Sequence, residues 1–183
     1  MARTLWTIGH STRPIEELIT LLETHGIARL ADVRTIPKSR FNPQFNQTRL
    51  QHSLEEAGLA YAHEPALGGL RKLRPESLNQ GWKNASFRGF ADYMQTEAFE
   101  QALEKLMASA RKAQTAIMCA EAVPWRCHRS LIADALVSRG WTVRHITSLK
   151  KADPHELTAF ARIEEGRLTY PAPAAAAPQV RLF

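Results

Sequence analysis

Cysteine is scarce, with only Cys119 and Cys127 in 183 residues. Two thiols do not make the disulfide framework of a small secreted domain, so a core has to hold the fold, and the thiols are left for packing or chemistry. Long apolar runs are missing as well. No stretch approaches the ~20 apolar residues that span a bilayer. The opening Met1-Ala2-Arg3-Thr4-Leu5-Trp6 runs into a strand rather than a secretion signal. The expectation is a cytoplasmic protein with no membrane partner. Lysine is the third shortage: of the 24 Lys and Arg together 7 are Lys, which leaves 17 Arg, on a chain of formal charge +6. Arginine presents a planar fork that suits phosphate and stacks on rings, so the excess fits nucleic acid or a phosphorylated ligand. A GC-rich genome would also favour Arg over Lys, with the charge serving only solubility. At 44% hydrophobic content the chain is long enough for one full core and short for two.

What is present is a repeated pattern. Leu5-Trp6-Thr7-Ile8 reads as a strand. After Gly9-His10-Ser11-Thr12-Arg13, Pro14 opens a helix with Ile15, Leu18, Ile19 and Leu22 on one face. At Gly26, Gly58 and Gly140 a helical stretch stops at glycine, and an apolar strand follows and opens into a polar loop. The strands so predicted are residues 27–33, 59–62 and 141–146, the last of the chain; the helices before Gly58 and Gly140 cover 46–57 and 130–139. Phe99, Leu103, Leu106, Met107 and Ala110 line another helix, which leads into the apolar strand 115–119. Residues 66–90 carry Gly68, Gly69, Pro75, Gly81 and Gly89 among cations and read as an irregular insertion near the site. Alternating strands and helices imply an α/β fold: a mostly parallel sheet of about five strands with helices on both faces, in a single domain over residues 1–170.

In such sheets ligands bind outside the carboxyl ends of the strands. The residues placed there are His10 and Ser11, Asp32 and Arg34, His63 and Glu64, Cys119, Glu121, the run Cys127-His128-Arg129, and His145. Strand 115–119 followed by a loop and a helix from Ser130 puts Cys127, His128 and Arg129 beside a helix N-terminus, where unpaired N–H groups favour anions and thiolates. Cys127 is the candidate nucleophile and His128 its neighbour; the alternative is a small buried residue at a helix start. Cys119 shares a face with Ile117 and is either packed or part of the site. Glu121 is a candidate general base, and the preferred reading pairs it with Arg129 or Arg34. Asp32 and Arg34 share a strand face and can pair, either as part of the site or only as a brace at the sheet end. The phosphatase-type loop, with five residues between Cys and Arg, is not matched, since six separate Cys119 from Arg126. Cys119, Cys127, His128 and His10 together could hold a metal, but their spacing follows none of the structural zinc patterns; no metal or other cofactor is assigned.

Thr7-Ile8-Gly9-His10-Ser11, Asp32-Val33-Arg34 followed by Pro37 and Ser39, Leu67-Gly68-Gly69, and Cys119-Ala120-Glu121 followed by Cys127-His128-Arg129 resemble the motifs of the domain-of-unknown-function 488 family. The resemblance covers roughly residues 4–147. It implies an intracellular α/β domain with a site built from these motifs, and it names no reaction.

The expected function is an enzyme acting on a nucleotide or nucleic-acid component in repair or replication. Cys127, Glu121, His128 and Cys119 are its candidate catalytic residues, and His10, Ser11, Asp32, Arg34, Ser39, Arg40, Arg126 and Arg129 its substrate- and phosphate-binding ones. Phe41, Phe45, Trp82 and Trp125 interleave with Arg40, Arg71, Arg74, Arg88 and Arg126 in the loops, a mixture suited to phosphate contact and base stacking; the alternative is that the rings are anchors that order long loops. A non-catalytic DNA-binding adaptor and a metal-binding protein are the alternatives. Residues 171–178, rich in Pro and Ala, read as a semi-extended linker. The pentapeptide after it, Gln179-Val180-Arg181-Leu182-Phe183, resembles the motif by which bacterial replication and repair proteins bind the DNA sliding clamp. The resemblance implies anchors at Gln179, Leu182 and Phe183.

Overall fold

In the computed structural model, which describes residues 3–173, a six-stranded sheet runs through the centre. Its strands are β1 (Thr4–Gly9), β2 (Arg29–Asp32), β3 (Ala60–His63), β4 (Thr115–Cys119), β5 (Thr142–Ser148) and β6 (Lys151–Pro154), in the order β3-β2-β4-β1-β5-β6. All neighbours pair in parallel except β5 and β6, which are antiparallel. The α/β expectation holds, with one strand more than the five read from the pattern.

Two-residue alternation along the strands divides the apolar side chains between two cores. Leu30, Ala116, Met118 and Ile8 pack under α1 (Ile15–Thr24) and α2 (Gln47–Glu56), against Leu18, Leu22, Leu50 and Leu54. Leu5, Ala31, Ile117 and Val143 face the other way, under α3 (Ala85–Tyr93), α4 (Glu97–Ala110) and α5 (Arg129–Val137). The polar Thr7 and His145 share that second face, and both are buried.

Gly26, Gly58 and Gly140 do what the pattern requires of them. Each sits at positive φ, 68°, 75° and 77°, where a Cβ would be strained. In each case the next residue donates back to the carbonyl five residues earlier: Ile27 to Leu22 at 2.9 Å, Leu59 to Leu54 at 2.8 Å, Trp141 to Leu136 at 3.1 Å. This is the Schellman ending of a helix, and it turns the chain directly into the following strand.

Two sequence readings need correction. The span 66–90 is not irregular to its end, because α3 begins at Ala85, with the Asn84 side chain accepting from the Ser86 and Phe87 amides. Gly89 looked like a breaker. It is there because a Cβ would lie 2.6 Å from the Arg71 carbonyl oxygen, where the preceding loop crosses the helix. That loop is ordered by buried Asp92, which accepts from Ser77 Oγ at 2.5 Å, Asn79 Nδ2 at 2.8 Å and the Arg74 amide at 3.2 Å. Nor is β5 the last strand. After β6 comes a separate hairpin of β7 (Arg162–Glu164) and β8 (Arg167–Thr169), and Tyr170 beyond it packs on Trp82 at 5.4 Å between ring centroids. Only 171–173 of the Pro/Ala segment are described; Gln179, Leu182 and Phe183 lie outside the described residues.

Candidate functional site

The carboxyl ends of β1, β2 and β4 meet around a cavity of about 720 Å3. β4 lies between the other two, so Cys119 at its end is flanked by His10 after β1 and by Arg34 after β2. The β1 and β4 ends are tied by His10 N–H to the Cys119 carbonyl and Ser11 N–H to the Ala120 carbonyl, both 2.9 Å. A Cβ on Gly9 would fall 1.9 Å from the Glu121 carbonyl oxygen. Glycine is what lets the two loops touch.

Cys127 lies at the base of this cavity, 5% exposed. The short 3-10 turn Pro124–Arg126 carries the chain back from the β4 end and delivers it to the start of α5. Its sulfur lies 3.7 Å from His128 Nδ1. The other ring nitrogen, Nε2, is 3.1 Å from two carbonyl oxygens, those of Val33 and Leu67. Since a carbonyl only accepts, Nε2 carries a hydrogen and donates to both. Nδ1 then presents its lone pair to the Cys127 thiol, or, once protonated, an N–H to the thiolate. The ring cannot swing away: Phe90 packs edge-on at 5.0 Å, and a Cβ on Gly69 would meet Nδ1 at 2.7 Å.

Arg129 supplies the charge. It is 1% exposed and donates to Thr7 Oγ1 at 3.1 Å and to the Glu121 and Ala122 carbonyls at 2.5 and 3.4 Å. Its Nε has no partner among the described residues, and no carboxylate there lies within ion-pair distance of it. A buried cation without a counter-ion is costly, and an anion beside it is correspondingly favoured. The Cys127 thiol is held well below the usual range, first by the hydrogen bond from Cys119, then by His128 and Arg129, against burial, which opposes ionisation. Cys119 is pushed up, by that same bond to Cys127 and by its own burial. Of the two thiols, Cys127 is the one favoured as the anion.

The wall opposite is built on Asp32 and Arg34. Arg34 binds Asp32 through two nitrogens, Nε to Oδ1 at 2.9 Å and Nη2 to Oδ2 at 2.6 Å, and Tyr61 donates to Oδ2 at 2.8 Å. The pairing expected from the shared strand face is present. Burial pulls Arg34 down, but the Asp32 hydrogen bond and charge outweigh it and hold it above its ordinary value. His10 donates from Nδ1 to the Ser11 carbonyl at 2.8 Å, so its Nε2, 3.3 Å from Arg34 Nη1, accepts. Its ring stacks on Phe45 at 4.1 Å. Burial lowers its pKa to about 4, with the Arg34 charge helping against the Ser11 carbonyl, which keeps it neutral at pH 7.

Of the residues expected to bind phosphate, His10, Ser11, Arg34, Ser39 and Arg126 line the cavity. Asp32 stands behind Arg34 and Arg129 behind the floor. Arg40 is exposed and does not line the cavity, because the loop turns where Ser39 Oγ accepts the Asn42 amide at 3.0 Å. Glu121 is not the ion-pair partner expected for Arg129 or Arg34. Arg34 is taken by Asp32, Arg129 by the Glu121 backbone oxygen, and the Glu121 carboxylate accepts the Val123 amide at 3.1 Å. It still faces the cavity, as a base would.

Sequence reasoning missed Lys38 and Asn42 in the wall, and it missed the polar chain beneath the floor. Thr7 Oγ1 lies 2.7 Å from His145 Nδ1, His145 Nε2 2.9 Å from His155 Nδ1, and His155 Nε2 2.8 Å from Asp134 Oδ1. Asp134 also accepts from the Thr158 amide, Thr158 Oγ1 and Tyr170 Oη. With the carboxylate accepting from His155, each ring accepts at Nδ1 and donates at Nε2, so every donor in the chain points from Arg129 towards Asp134. Burial, then the neighbouring His155, lowers His145 to about 4, consistent with a neutral link.

The sulfurs of Cys119 and Cys127 and a ring nitrogen of His128 lie within 4.8 Å of one another, and these three are the described residues that could hold a soft metal ion. Arg129 weighs against a cation there and for a thiolate, because its buried charge has no other anion to neutralise it. His10 belongs to the opposite wall, hydrogen-bonded through both nitrogens.

No curated protein and no solved structure matches the chain. A family model described as a domain of unknown function, DUF488, matches residues 14–136, about two thirds of the chain. That span takes in the cavity-lining Arg34, Gly69, Cys119, Glu121, Cys127 and His128, with Asp32 and Arg129 behind them, and leaves out His10 and Ser11. With the site assembled from these motifs and the family model covering most of the fold, the chain belongs to the DUF488 family.

Proposed function

We propose that the protein is an enzyme in which the Cys127 thiolate attacks an electrophilic centre of a nucleotide or nucleic-acid component. The observation that carries this reading is a buried cysteine at the base of an open cavity, beside an oriented imidazole and two residues before a buried guanidinium with no carboxylate partner among the described residues. That is the nucleophile, base and orienting group of covalent catalysis. Arg34, Lys38 and Arg126 offer cations to an anionic substrate along the wall. Ile36, Phe41, Leu70 and Trp125 are 64%, 88%, 71% and 73% exposed; Ile36 and Leu70 line the cavity, and Trp125 precedes Arg126 in the chain. Exposed rings and aliphatic groups among cations suit bases and phosphates together. His128 would take the proton from Cys127, and Glu121 would activate water to release the bound intermediate.

The test is protection. Nucleoside phosphates and short single-stranded oligonucleotides should slow alkylation of Cys127 at low salt, and the protection should fade as salt rises, because phosphate contacts release counter-ions. Protection that is absent at low salt, or indifferent to salt, contradicts a nucleic-acid substrate.

Recruitment to replicating DNA through Gln179, Leu182 and Phe183 is part of the same proposal, supported by the pentapeptide itself. The intact chain should bind the sliding clamp at roughly micromolar affinity, as an anchored short peptide does. A chain carrying Leu182→Ala and Phe183→Ala should not; equal binding by the two removes the clamp from the account.

A further inference from the structure

We propose that Cys119 and Cys127 form a reversible redox pair, in which Cys127 reduces a hydroperoxide and Cys119 resolves the product to an intramolecular disulfide. The inference rests on the reading of Cys127 as a nucleophile and adds a second activity to the same cavity.

The geometry points to this in two ways. Both thiols are free, both line the cavity, and their sulfurs lie within 4.8 Å of each other. Their backbones belong to different pieces of structure. Cys119 ends a central strand, whereas Cys127 closes a 3-10 turn on a loop, so the approach to the ~2.05 Å of a disulfide falls to the loop rather than the sheet. A disulfide of this kind is not a structural staple, since the reduced pair is compatible with the whole fold.

The chemistry balances with a hydroperoxide as the oxidant. The Cys127 thiolate attacks the terminal oxygen, an S–O bond forms, the O–O bond breaks, and the alkoxide leaves and takes a proton from solvent. Cys119 then attacks the Cys127 sulfur as the S–O bond breaks, and its proton leaves with the hydroxide as water. The two sulfurs lose two electrons, and the peroxide is reduced to an alcohol and water. Without Cys119 the first product, a sulfenic acid, has no thiol to condense with and is exposed to further oxidation to sulfinic acid. Closing the disulfide also removes the anion beside Arg129, so oxidation silences the nucleophile until a dithiol reduces it.

The experiment treats the full chain with hydrogen peroxide and reads intact mass. The wild-type protein should lose the mass of two hydrogen atoms, take up no dimedone, and return to its starting mass with dithiothreitol. Cys119→Ala and Cys119→Ser should both trap dimedone on Cys127, and without dimedone should gain two oxygen atoms there; Cys127→Ser should do neither. A wild-type chain that traps dimedone as the Cys119 variants do overturns the pair. If Cys127 still alkylates rapidly at mildly acidic pH in that case, the nucleophile reading survives and only the redox inference falls. If Cys127 neither alkylates nor oxidises, both fall.

Discussion

Replacing Asp134 with alanine is expected to lower the stability of the fold by about 3–5 kcal/mol, the range for removing one side of a buried, hydrogen-bonded charge network. Four donors lose their acceptor at once: His155 Nε2, the Thr158 amide, Thr158 Oγ1 and Tyr170 Oη. Asp134 is fully buried and Tyr170 is too, so no water takes the vacated place cheaply. The loss is about 6–20 °C in melting temperature for a chain of this size, read by thermal unfolding. Asp134 fastens three regions distant in sequence: α5 carries it, while His155, Thr158 and Tyr170 come from the segment after β5. Tyr170 in turn holds the loop before α3 through Asn79 and Trp82. The variant should therefore loosen that loop along with the C-terminal segment. A drop of less than about 3 °C, within what a ~1 kcal/mol surface change produces, would show that the carboxylate is not the hub the geometry makes it.

Arg129→Met should leave the fold standing and weaken the thiolate. Methionine fills most of the volume and removes the buried cation whose charge favours the Cys127 anion, and loss of such a charge moves a neighbouring pKa by about 1–3 units. The pH at which Cys127 alkylation falls to half its plateau rate should therefore rise by about 1–3 units, since the rate follows the thiolate fraction. Arg129→Lys is the companion variant. It keeps the charge without the planar fork that reaches Thr7, Glu121 and Ala122 together, so part of that rise should be undone. An unchanged midpoint in Arg129→Met, with the protein still folded, would assign the low thiol pKa to His128 and Cys119 alone.

The skeleton of the site was legible because local rules carry it. Glycines at 26, 58 and 140 end helices by backbone geometry that involves a few consecutive residues, and the β4 strand, the loop and α5 follow from periodicity. Hence Cys119, Cys127 and His128 were placed together. The Asp32 and Arg34 pair followed from two-residue alternation. What was not legible depends on partners far along the chain. Asp134, His155, His145 and Thr7 make one network from residues 138 positions apart at its widest single bond, and no window contains it. Gly89 was misjudged for the same reason, because its purpose is the Arg71 carbonyl from another segment. Glu121 was given the wrong partner because charge alone pointed to Arg129, whereas the buried guanidinium is met by carbonyl oxygens. Arg40 and Lys38 stand two residues apart on one loop, and only the fold of that loop decides that Lys38 faces the cavity.

The central claim is that Cys127 is a thiolate at neutral pH, and its alkylation rate as a function of pH in the native protein tests it most directly. Cys127, identified after digestion, should react with iodoacetamide at a nearly constant rate from about pH 8 down to about pH 6, with Cys119 unlabelled, because a thiol depressed by a hydrogen bond, an imidazole and a guanidinium stays ionised across that range. A rate that instead climbs about tenfold per pH unit and levels only above ~8.5, the behaviour of an unperturbed cysteine, would contradict it.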